Sequence, residues 1–177
     1  MKRIFIVLVL LLTLTTLSHA DLGLKSVAPQ IGVIFPENPF NTGFEIGVTA
    51  NMGEFAPSFA LFPLINYWTA GGGEGIYDWS FSNFQIGADA HYYVKDLPGF
   101  FAGAGLTLNF MSISSDYDVP GFGPVSASVS ETKVGFGLVA GYEMPIDKYK
   151  GFVKGKYNLI SDVNTFELAI GLHFDIK

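Results

Sequence analysis

The sequence predicts an all-β chain, an eight-stranded antiparallel up-and-down β-barrel, and three observations predict it. Helical periodicity is nearly absent, whereas period-two alternation recurs from residue 24 to the end. The less apolar face of the alternating segments is about one-third glycine. Aromatic residues gather where these segments end.

Alternation places strands near 24–35, 42–52, 55–68, 79–94, 99–112, 131–144, 151–160 and 164–176. Strand-breaking clusters separate them: PENPFN, NMGE, TAGGGEGIYD, KDLPG, SSDYDVPGFGPVSAS, PIDKYK and SDVN. Short connections between successive strands imply a meander. Two segments fit less well. FAPSFALFPLINYW holds Pro57 and Pro63 and sets Phe62 and Leu64 on the polar side, so a bulge is expected near Pro63. The first strand holds Pro29.

Elsewhere the two faces are distinct. One carries Phe44, Ile46 and Val48, then Phe84 and Ile86, Leu106 and Leu108, Val134, Phe136 and Leu138, and Phe166, Leu168 and Ile170, without a charge. The other carries Glu45, Asp89, His91, Lys133, Glu143, Glu167 and His173 among its glycines, and Lys154 and Lys156 join it from the seventh strand. A soluble barrel turns the apolar face inward, and a membrane barrel turns it toward lipid. Glycine contributes nothing to a solvated strand face but suits a narrow eight-stranded lumen, which is just wide enough to be filled. The mixed charges can neutralise one another across such a lumen, as buried charges must. Tyr92, Phe100, Tyr142, Tyr149 and Phe174 at one end, and Phe35, Tyr67, Trp68, Trp79 and Phe110 at the other, read as two interfacial girdles. The expected architecture is therefore a transmembrane β-barrel with a polar lumen.

Residues 1–20 fit an export route. Lys2 and Arg3 precede an uncharged apolar run over residues 4–17, and Ser18-His19-Ala20 places small residues where a signal peptidase reads them. The run is too short to span a bilayer as a helix. Cleavage after Ala20 leaves a single barrel domain, 21–177. Taking Lys2 and Arg3 from the ten basic residues leaves eight against sixteen acids, a formal charge of −8. That balance excludes nucleic acid as an expected partner. The chain has no Cys, which excludes disulfides and a lipid-modified N-terminal cysteine.

Both termini of an even-stranded barrel lie on one side, the periplasm. NMGE, KDLPG and PIDKYK become short periplasmic turns. PENPFN, TAGGGEGIYD, 113–130 and SDVN become external loops. These carry Glu37, Glu74, Asp78, Asp116, Asp118 and Asp162 without Lys or Arg. Binding of divalent cations at a lipopolysaccharide-rich surface is one reading of these acids, and ordinary solvated loops the simpler one.

FQIGADAHYYVKDLPGFFAGAGLTLNF and VGFGLVAGYEMPIDKYKGFVKGKYNLI with NTFELAIGLHF resemble the strand pairs of small outer-membrane barrels of the OmpA/OmpX-like superfamily. The resemblance lies in alternation and glycine placement over most of the mature chain. It implies insertion into the outer membrane by the barrel-assembly machinery, among outer-membrane lipids and lipopolysaccharide. The family usually ends on an aromatic residue, and here Phe174 is followed by Asp175-Ile176-Lys177.

Signs of chemistry are sparse. His91 and His173, with Asp89 or Asp175, read either as a proton-linked or metal site or as hydrogen-bonded lumen packing, and zinc would want three or four ligands. The glycines of GFGLVAG and GAGLTL sit inside strands, so they make no dinucleotide fingerprint, and GGGEG lacks the GK[ST] ending of a phosphate loop. No His falls near the external end, where a lipid A-modifying barrel enzyme would need one. The expectation is a non-catalytic protein without cofactor or metal, with a structural or surface-interaction role. The alternatives are a soluble periplasmic ligand-binding β-barrel and a lipid A-modifying barrel enzyme.

Overall fold

The computed structural model describes residues 21–38, 40–74, 77–119, 123–161 and 163–176, with backbone alone at 73–74, 77–78, 116–119 and 123–126. Residues 1–20, read above as a signal segment, lie outside the described residues.

Strands are β1 (Ser26–Pro36), β2 (Gly43–Asn51), β3 (Glu54–Ala56), β4 (Phe59–Glu74), β5 (Tyr77–Tyr93), β6 (Phe100–Val119), β7 (Gly123–Ile146), β8 (Tyr149–Ile160) and β9 (Thr165–Asp175). From β3 to β9 each pairs antiparallel with the next, as β1 does with β2. β1 also pairs with β9, and β2 pairs with β4 to close the ring. Eight long strands therefore form the barrel, and β3 is a three-residue strand within the β2–β4 connection.

The register puts Ile31, Val33, Phe44, Ile46, Ile86, Leu106, Leu108, Val134, Leu138, Leu168 and Ile170 outward, each at least about one-third exposed. The intervening residues point inward and are largely buried. Lys154 and Lys156 turn inward as the alternation requires, and Tyr157 and Leu159 outward.

Proline is accommodated without a bulge in the barrel wall. Pro63 pairs opposite Ala88 in an unbroken β4–β5 register. The expected irregularity lies instead at β3, between Glu54 and Ala56. Across from Pro63 the β2 ladder ends at Thr49, whose hydroxyl donates to the Pro63 carbonyl at 3.2 Å. Pro29 points outward, and the β1–β9 pairing skips Ala28 and Pro29 before resuming in the same register. A missing N–H costs a ladder bond but does not shift the strand.

The larger departure from the sequence reading is at the end opposite the termini. Much of TAGGGEGIYD and of 113–130, read above as loops, is strand: β4 runs to Glu74, β5 starts at Tyr77, β6 runs to Val119 and β7 starts at Gly123. β8 begins to pair with β7 only at Gly135, and β2 leaves β4 at Thr69. The four strands β4–β7 therefore continue past the barrel rim as a wing.

Face polarity inverts at that rim. Tyr67, Phe84 and Phe110 form one outward-facing row with Thr132. The next outward row is Thr69, Ser82, Ser112 and Ser130, and the one after it Gly71, Ser80, Ser114 and Ser128. On the opposite face the order reverses, and Ala70, Phe81, Ile113 and Val129 align. Lipid contact below the rim and water above it account for the switch, because only hydrocarbon rewards an apolar outer face. Ser-rich segments resemble loops in composition, whereas the hairpin ladder they continue holds them extended.

Ile170→Lys is expected to lower stability in a bilayer by about 2–4 kcal/mol, and Ser128→Lys to change it by less than about 0.5 kcal/mol. Denaturant unfolding in lipid vesicles measures both.

Candidate functional site

The lumen is filled in three layers. Next to the wing lies an apolar plug of Ile34, Trp68, Ala70, Phe81, Met111, Ile160 and Val163, with Phe40 packed on it from the β1–β2 connection. The Trp68 and Phe81 rings stack at 4.9 Å. Phe40 meets Phe81 at 4.9 Å and Trp79 at 5.1 Å. Trp68 is thus fully buried inside the barrel and not part of a lipid girdle, and Trp79 shares its face. The reason is parity: Tyr67 faces lipid, so its neighbour cannot. Phe35, Tyr67 and Phe110 do face outward, and with Phe84 and Phe166 they form the girdle at this end.

The middle layer is polar. Lys156 Nζ donates to both Asp89 oxygens, at 2.7 and 3.0 Å. Lys154 lies 3.3 Å from Glu167 Oε1. Gln30 Nε2 donates to Glu45 Oε1 at 2.9 Å and to Asn66 Oδ1 at 3.0 Å. Asn83 and Gln85 both donate to Asn109 Oδ1. Seven of the nine polar residues singled out in the sequence, Glu45, Asp89, His91, Lys154, Lys156, Glu167 and His173, are at most 6 % exposed. Glu143 is half-buried. Lys133 departs from the expectation. It stands at the rim with Glu131 at 2.8 Å, because β8 pairs with β7 only from Gly135 onward and no longer flanks it. Asp175 is exposed at the other rim.

Glycines make room for these groups. A side chain at Gly137 would strike Lys156, one at Gly105 would strike Asp89, and one at Gly47 would strike Asn66. Gly141 and Gly171 do the same for Phe101 and Phe152.

The third layer, nearest the termini, holds both remaining histidines. His91 is stacked between Phe62 and Phe101, with ring centroids 4.2 and 4.4 Å away, and neither ring nitrogen has a hydrogen-bond partner. His173 Nδ1 is 2.9 Å from Ser26 Oγ, and its Nε2 is 3.8 Å from Glu143 Oε1. Tyr93 donates to the same Glu143 oxygen at 2.6 Å. Among the described residues, no three of His, Asp and Glu are grouped so as to hold a metal ion. His91 is held by ring packing and His173 by a hydrogen bond. Sequence reasoning did not anticipate the aromatic layers of Trp68, Phe81, Phe101 and Phe152. The signal was present in their phase, since each shares parity with charged or glycine positions.

The outer surface offers a second candidate site. Over residues 123–131, β7 is paired by β6 on one side only among the described residues, which leaves a free strand edge. Val129 is 62 % exposed beside that edge and Ile113 is 42 % exposed. Glu37 is exposed and bonds Asn164 of the β8–β9 connection at 2.9 Å. Asp162 and the side chains of Glu74, Asp78, Asp116 and Asp118 lie outside the described residues.

No known protein family's sequence model matches the chain, and no characterised protein matches it by sequence. Solved structures do match. Ail, the attachment invasion locus protein of Yersinia pestis, superposes with a TM-score of 0.56 at 14% identity, over 87% of this chain and 100% of its own. Neisserial surface protein A gives 0.54 at 13% identity, over 85% and 96%. A major outer membrane protein of Thermus thermophilus gives 0.55 at 13%, over 87% and 100%. The fold is that of the small outer-membrane β-barrels. At these identities the likeness concerns fold alone.

Lys156→Met is expected to cost about 3–5 kcal/mol by leaving Asp89 buried without a partner. Combining it with Asp89→Leu restores most of the loss, and a double-mutant cycle from denaturant unfolding in vesicles reads the coupling.

Proposed function

We propose that this protein is an integral outer-membrane barrel without catalytic activity, exported by residues 1–20, whose wing is a surface for interaction outside the cell. The observation that carries this reading is the inversion of face polarity at the Tyr67, Phe84 and Phe110 row, which separates a lipid-facing band from a solvated four-stranded sheet. The filled lumen argues against a conducting pore. It argues equally against a soluble ligand-binding barrel, which would keep an open cavity behind an apolar lining. Lipids, lipopolysaccharide and the barrel-assembly machinery are the partners that such a location entails.

The free edge of β7 supports the interaction role. Unpaired N–H and C=O groups on an exposed edge accept an added strand, and the adjacent Val129 and Ile113 supply apolar contact. Ail has been crystallised with the heparin analogue sucrose octasulfate. Polyanion binding is disfavoured for this chain, because its outer hairpins carry Glu74, Asp78, Asp116 and Asp118 and no Arg. Both histidines lie at the terminal end, inside the lumen, away from where lipid A chemistry would occur.

Membrane fractionation with unboiled and boiled gel samples tests the location. The protein is expected in the outer-membrane fraction with heat-modifiable mobility, and recovery as a soluble protein without detergent overturns the reading. Because the chain lacks Cys, orientation is read from single cysteines. Ser128→Cys is expected to react with a membrane-impermeant maleimide on intact cells, and Lys148→Cys only after permeabilisation. Turnover of labelled lipid A that disappears in His91→Ala or His173→Ala would replace the non-catalytic reading with an enzyme.

A further inference from the structure

The outward face of a small barrel is ordinarily convex and studded with large side chains, yet here it is hollowed near the terminal end. A groove of about 470 Å³ crosses β7, β8, β9 and β1, with Ile31, Met144, Ile146 and Ile170 as walls and Gly151 and Gly171 at its floor. Two sequence features open it. Gly151 carries no side chain where its outward neighbours Val153 and Tyr157 do, and only the tip of Ile146 occupies that space. Pro29 interrupts the β1–β9 ladder beside it, and Gln30 and Phe152, whose side chains belong to the lumen, also border the groove.

The geometry points to a site for one acyl chain of a membrane glycerophospholipid, drawn from the leaflet at the terminal end. The groove is continuous with the lipid-facing band and its walls are aliphatic. Its volume falls within the range of small-molecule sites, roughly 300–1,000 Å³. Its lining includes Ile146, the residue before the turn of Asp147 and Lys148, and just past that turn the rings of Tyr149 and Phe174 lie 5.0 Å apart. Lys148 is exposed there, with its ammonium 5.1 Å from the Tyr149 ring centre, and aromatic girdles of membrane barrels sit at headgroup level. Asp147 and Asp175 are exposed acids on the same rim, so the chain in the groove holds the lipid and the lysine meets its phosphate.

This inference rests on the membrane reading above, and the experiment separates the two. The barrel is refolded into vesicles of phosphatidylethanolamine and phosphatidylglycerol, transferred to detergent, and weighed intact by native mass spectrometry. Heat-modifiable gel mobility reports insertion of each sample independently. Wild type is expected to retain one phospholipid per barrel. Gly151→Leu fills the groove at the cost only of moving the flexible Ile146 tip, and should reduce retention by about tenfold or more. Ile170→Trp should do the same from the opposite wall. Gly155→Leu, also lipid-facing but outside the groove, should retain lipid as wild type does. An inserted wild type that keeps no lipid, or filled-groove variants that keep as much as wild type, overturns the proposal and leaves the membrane reading intact.

Discussion

Backbone polarity governs this fold. Within hydrocarbon no water is present to satisfy an N–H or C=O, so every strand needs a partner on both sides and the sheet must close. β2 meeting β4 and β1 meeting β9 provide that closure. Above the rim the requirement lapses. β7 then runs on over residues 123–131 with one edge unpaired among the described residues, which water permits and lipid would not. The free edge and the inverted serine rows mark one boundary, recorded once in the backbone and once in the side chains.

Closure into eight strands sets the interior. A lumen this narrow leaves no room for bulk water, so side chains must fill it and satisfy each other. Segregation meets both demands. Ion pairs and amides occupy the middle, where Lys156 reaches Asp89 and Lys154 reaches Glu167. Aromatic layers seal both ends, with Trp68 and Phe81 on one side and Phe62, Phe101 and Phe152 on the other. Inward glycines are the counterparts of several of these large groups, Gly141 for Phe101, Gly171 for Phe152 and Gly137 for Lys156.

The legible part of this design was what period two encodes. Strand existence, the outward stripe from Phe166 to Ile170, and the inward placement of Glu45, Asp89, His91, Lys154, Lys156 and Glu167 all followed from alternation. Less legible was whatever depends on the partner strand. Ser112 and Ser114, or Gly71 to Gly73, look like loop chemistry until a hairpin ladder extends them. Lys133 counts as a lumen residue by parity, yet its height along the barrel axis puts it at the rim beside Glu131. Trp68 and Trp79 read as lipid-facing because aromatics favour interfaces, although parity turns both to the inner face, Trp68 inside the barrel and Trp79 on the wing.

The strands and their two faces are local properties of the chain, because side-chain direction in a strand repeats every two residues whatever its neighbours do, and the glycines and mixed charges of the less apolar face mark it as the inner one. Where each residue stands along the barrel axis, and which one it faces across the lumen, is settled only on closure. Those positions depend on contacts distant in sequence: Asp89 meets Lys156 across the lumen only when eight strands share one ring. The wing, the plug and the groove behind Gly151 are consequences of strand register.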